Sequence, residues 1–173
     1  MKKFRLTASA LKNSVVFLRS ANWILIAIGW VAALYAYPRL PGRMALWFNF
    51  FSRNLLQVDK SVLFFLYPLS QTLIFLGLSF FIQRFFLNKK RPGEKLAAAN
   101  EIQEERSLEL NREFLWLALI FVNLIFIHLQ TSVIFLSHGL ASRINPYYFY
   151  AIFGILVMLV PYYRMRKKLF LKK

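Results

Sequence analysis

Residues 37–68, YPRLPGRMALWFNFFSRNLLQVDKSVLFFLYP, separate a pair of long apolar runs and decide how the chain is threaded. Pro38, Pro41 and Gly42 take the chain out of a helix, because proline has no amide donor and glycine favours a turn. The stretch 44–51, MALWFNFF, is apolar and aromatic, broken only by Asn49. Water solvates such a connector poorly, so it is expected in the membrane interface or as a cap on the outer end of a bundle. Arg39, Arg43 and Arg53 would keep its edges wet.

The composition around this stretch agrees with a membrane location. Of 173 residues, 58% are apolar and 18% aromatic, and the mean hydropathy is +0.48. That much apolar surface implies long buried runs. The net charge of +16 raises nucleic acid as a partner. A nucleic-acid binder spreads its cations over a soluble face, whereas here they cluster at the ends of apolar runs, as membrane topology requires. The reading is therefore membrane lipids as partners and no nucleic acid. The absence of cysteine excludes thiol chemistry and disulfides.

Working outward, residues 1–20 form a basic arm in which Phe4, Ala8, Leu11, Val15 and Leu18 share one helical face, edged by Arg5, Lys12 and Arg19. This pattern predicts an amphipathic helix lying on the membrane surface, with a plain basic anchor as the alternative. Residues 21–37 are the first span, expected to be retained, and Gly29, Ala33 and Ala36 on one face would admit a close neighbour. The second span covers 61–83, with Ser61, Pro68, Thr72, Ser79 and Gln83 in a narrow arc that should face other helices. Residues 84–113 are a polar, mixed-charge loop with a helix leading into the third span, 114–137. In that span Trp116, Asn123, Gln130 and Ser137 recur at seven-residue spacing. A turn at 138–146, a fourth span at 147–163 and a basic tail at 164–173 complete the chain.

Lysine and arginine set the orientation. The arm, the polar loop and the tail together carry eighteen cations, against five elsewhere: Arg39, Arg43, Arg53, Lys60 and Arg143. Cations are retained on the cytoplasmic side, so both termini are expected inside and residues 38–60 outside. The expected fold is an all-α, integral-membrane four-helix bundle forming a single domain.

At the opening stretch the chain resembles a bacterial membrane domain of unknown function that also forms the N-terminal part of SdpI-type toxin-immunity proteins. Leu40-Pro41, Trp47-Phe48-Asn49, Lys60 and Pro68 match that family's spacing. Trp47 stands where histidine is usual, Ser52 where glycine is usual and Leu55 where aspartate is usual. The resemblance covers about the first half of the chain. It implies a bacterial multi-span protein linked to immunity or signalling, with Pro41, Trp47, Asn49, Lys60 and Pro68 as candidate binding positions.

Each candidate also has a structural explanation. Asn49 suits an Asx-type turn as well as a ligand contact, and Lys60 suits a snorkelling anchor beside Asp59 as well as an acidic partner. Asn123 and Gln130 are expected to hydrogen-bond to the polar arc of the second span, with a permeation path as the sharper alternative. His128 is an intramembrane ionisable residue, and His138 lies too far along the helix to share a metal with it. No nucleophile, base and acid set, phosphate loop or dinucleotide fingerprint occurs, so no enzyme, cofactor or metal is expected. The function expected is a non-catalytic immunity or envelope-sensing component of the bacterial inner membrane, binding a peptide, lipid or protein outside. The alternative is a small transporter or accessory subunit, and self-association is open.

Overall fold

The computed structural model describes residues 8–48, 55–87, 98–142 and 145–171. Four α-helices account for most of them: α1 (Ala8–Ala36), α2 (Leu66–Leu87), α3 (Ala98–Ser137) and α4 (Pro146–Leu171). All four are long and apolar enough to cross a membrane. A helix closes its backbone hydrogen bonds within itself, which a segment in lipid must do.

Helix α3 is the hub. α1 runs parallel to it along most of its apolar length, α2 packs against both, and α4 lies antiparallel against α3. Spanning 40 residues, α3 is about 60 Å long at helical rise, twice the hydrocarbon thickness of roughly 30 Å, and its charged first turns precede the apolar stretch Arg106–Ser137. The expected helix leading into the third span is thus the same continuous helix. Ser14, Glu113 and Arg166 meet at one end of the bundle, and the strand pair and the end of α3 lie at the other.

One expectation is corrected. Residues 8–20 do not form a separate surface helix, because α1 is unbroken from Ala8 to Ala36. The predicted apolar stripe exists, but Leu11 and Leu18 are buried inside the protein, with Leu18 packed beside Trp116 and Leu119 of α3. Amphipathic spacing identifies the apolar face but not what covers it. The expected four-helix bundle carries one addition, a strand pair in the connector between the first two helices. Arg43–Phe48 (β1) and Leu55–Asp59 (β2) pair antiparallel, from Arg43 opposite Asp59 to Phe48 opposite Leu55. A bulge between Ala45 and Trp47 sets two residues against one. Strand pairing satisfies backbone groups that a poorly hydrated connector would leave bare. The basic tail likewise continues α4 to Leu171, with Pro161 tolerated inside the helix.

The ends of the elements follow local chemistry. Ser61 accepts a bond from the Leu63 amide and starts the short turn of 3-10 helix before α2. Gly139, at φ 69°, ends α3, with Leu140 N donating to Phe135 O and Gly139 N to Leu136 O. That pair of bonds is a Schellman cap, and it requires a residue at positive φ. Asn145 accepts from Tyr147 N and Pro146 takes the first position of α4, where a missing amide costs nothing.

Candidate functional site: a hairpin cap on a polar seam

The hairpin is seated on the bundle by its first strand. Met44 and Ala45 are buried, and Met44 joins Ala33, Ala36, Leu40, Phe64, Tyr67 and Val133 in one apolar cluster. Ala45 N donates to Ser137 Oγ at 3.0 Å, tying the strand to the last residue of α3. Lys60 closes the base: its amide donates to Gly42 O at 2.7 Å and its ammonium to Pro38 O at 2.9 Å, 5.3 Å from the Tyr37 ring centre. Among the described residues no carboxylate forms an ion pair with Lys60. Asp59 instead lies 3.9 Å from Arg43 Nε, with both side chains exposed, a geometry that adds little stability.

The remaining family-like positions fall in different places. Pro41 is half-buried between Leu40 and the strand, and Pro68 is fully buried, its carbonyl accepting from Thr72 Oγ1 at 2.8 Å. Trp47 lies in β1 with its backbone opposite Leu56. The Trp47 side chain, Asn49 and Ser52 lie outside the described residues.

Below the cap runs a polar seam between α1 and α3, along the predicted seven-residue repeat. Trp116 O accepts from Asn22 Nδ2 at 3.0 Å, and Asn123 Nδ2 donates to Asn22 Oδ1 at 2.7 Å. Further along the same face, Gln130 Nε2 donates to Gly29 O at 2.9 Å and Ser137 meets the hairpin. The partners of Asn123 and Gln130 are therefore on α1, whereas the repeat alone pointed to α2. The interior face of α2 is centred on Pro68, Gln71, Phe75, Ser79 and Ile82, continuing from Phe64 in the 3-10 turn before it, while Gln83 is exposed. The predicted arc is right for Pro68, Thr72 and Ser79, Thr72 Oγ1 accepting from Trp30 Nε1 of α1 at 2.9 Å, but the buried face is turned toward Gln71. Close approach at Gly29, Ala33 and Ala36 is observed: a Cβ on Gly29 would sit 2.5 Å from Gln71 Oε1.

The seam ends in a buried ion pair. Glu113 Oε2 lies 3.0 Å from Arg166 of α4, and Ser14 of α1 donates to Glu113 Oε1 at 3.1 Å. One carboxylate thus joins three helices. Asn22, Gln71, Glu113 and Arg166 were not singled out from the sequence. Asn22 and Glu113 sit seven residues before Gly29 and ten before Asn123 respectively, so polar residues continuing a helical face could have flagged them. Gln71 carries no such signal.

His128 stands apart from the seam, facing α4. Its ring stacks on Tyr148 at 4.0 Å and meets Phe149 edge-on at 5.2 Å. Among the described residues no three His, Asp or Glu side chains group as metal ligands. The arrangement can hold helices in register and present a rigid cap. Scans of the chain against protein-family models, curated proteins and solved structures return no match.

Proposed function

We propose that the protein is a non-catalytic component of a bacterial inner membrane, both termini cytoplasmic, that engages a peptide or protein through its outer hairpin. The observation that supports this most is the seating of β1: Met44 and Ala45 are buried and Ser137 fastens the strand, so the rest of the hairpin is held as a preformed edge. A preorganised strand edge binds extended peptides through main-chain hydrogen bonds at little ordering cost. The orientation rests on the eighteen cations assigned to the cytoplasmic side, and the link to toxin immunity rests on the family resemblance alone. Transport along the seam is less favoured, since Asn123 and Gln130 each donate an amide hydrogen to α1.

The test is toxin challenge of a deletion strain, complemented with wild type or with Ser137→Ala, which unseats the hairpin. Increased sensitivity restored only by wild type is expected. Unchanged sensitivity to every peptide toxin tried removes the immunity reading. Reporter fusions at residues 53 and 95 test orientation, and a cytoplasmic signal at 53 overturns it.

A further inference from the structure

Helix α4 is the least covered of the four. Tyr150, Phe153, Met158 and Met165 are all exposed, and the helix packs mainly on α3. Along it, from Tyr150 to Tyr162 past Gly154 and Met158, runs an apolar groove of about 580 Å³. Twelve residues at helical rise make the groove about 18 Å long, close to one leaflet's share, about 15 Å, of the hydrocarbon core. Met165 and Leu169 continue the exposed apolar surface toward the basic end, where each is preceded by an exposed cation, Arg164 and Lys168, one turn apart. Arg166 is engaged by Glu113, whereas Arg164 and Lys168 make no ion pair among the described residues.

We propose that this face is a binding site for an anionic phospholipid of the leaflet at the basic end. One acyl chain lies along Gly154 and Met158, and the phosphate meets Arg164 and Lys168. The charges favour this occupant over a second copy of the chain. Two copies in one membrane share an orientation, so pairing through this face would set Arg164 and Lys168 beside the same cations of the other copy. A phosphate neutralises them instead, each cation near an anionic headgroup contributing about 1 kcal/mol.

The test compares retention of phosphatidylglycerol and phosphatidylcholine with identical chains by the full-length protein, using native mass spectrometry after detergent extraction. Wild type is expected to prefer phosphatidylglycerol by about thirtyfold, and Arg164→Gln with Lys168→Gln to abolish the preference. Gly154→Leu fills the groove, because a Cβ there meets nothing within 4 Å. It should lower retention of both lipids at an unchanged thermal midpoint. Equal retention of the two lipids by wild type overturns the proposal, as does full retention by the Gly154 variant. Disulfide crosslinking between copies bearing Gly154→Cys would assign the face to a second copy and also overturn it.

Discussion

Asn123 of α3 and Asn22 of α1 form a 2.7 Å amide pair in which neither residue is exposed, and Asn22 donates its own amide hydrogens to Leu18 O and Trp116 O. A buried pair of this kind fixes the register of two parallel apolar helices that could otherwise slide. Asn22→Leu and Asn123→Leu should each destabilise the protein, with a coupling of roughly 0.6–1.7 kcal/mol in a double-mutant cycle. Chemical denaturation in detergent checks this. Additive effects would show that the pair contributes no register energy. In reconstituted vesicles, Asn123→Leu with Gln130→Leu should leave ion flux at the level of protein-free controls, as wild type does; flux through wild type that this double change abolishes would favour a transport path.

Gly29 should accept a methyl group only if the Gln71 side chain swings away. Gly29→Ala forces Gln71 Oε1 off a Cβ placed 2.5 Å away, and because that atom ends a flexible side chain the cost should be modest, about 1 kcal/mol. Adding Gln71→Ala should recover most of the loss. Thermal unfolding of the single and double variants measures both, and a double variant no better than Gly29→Ala refutes the contact.

Glu113 and Arg166 are nearly buried, with side chains 12% and 15% exposed. Removing either partner alone, by Glu113→Leu or Arg166→Leu, should cost roughly 3–5 kcal/mol, while the double change should be much milder. Loss of the pair should also free α4, read as faster cleavage by protease in the basic tail. Protection that survives Arg166→Leu would mean α4 is held elsewhere.

Ser137→Ala leaves the Ala45 amide without its acceptor at a buried position, at a cost of about 1–3 kcal/mol. Hydrogen exchange at Ala45 should accelerate while amides of the α1–α3 seam stay protected. Equal acceleration throughout would show that the hairpin is not a separable cap.

The four spans were legible because an apolar run of span length has few other solutions, and Pro41 and Gly42 mark where the chain leaves the first helix. The seven-residue repeat of Trp116, Asn123, Gln130 and Ser137 was also legible, since it needs only helical geometry. Its partner was not: periodicity says that a face is buried but not which neighbour buries it, and the amides turned to α1. The same limit explains why the stripe of Leu11 and Leu18, written like a lipid-facing surface, packs in the protein.

By itself, the sequence determined the membrane class, the count of apolar helices and the positions of the polar residues along them, because length, hydropathy and period are local properties. Only the tertiary structure decided three things: that residues 43–48 pair with 55–59 as strands, that Glu113 gathers Ser14 and Arg166, and that Gly29 makes room for Gln71. The last two bring together groups distant in the chain, by as much as 99 residues for Ser14 and Glu113, and no local pattern specifies which distant donor meets which acceptor.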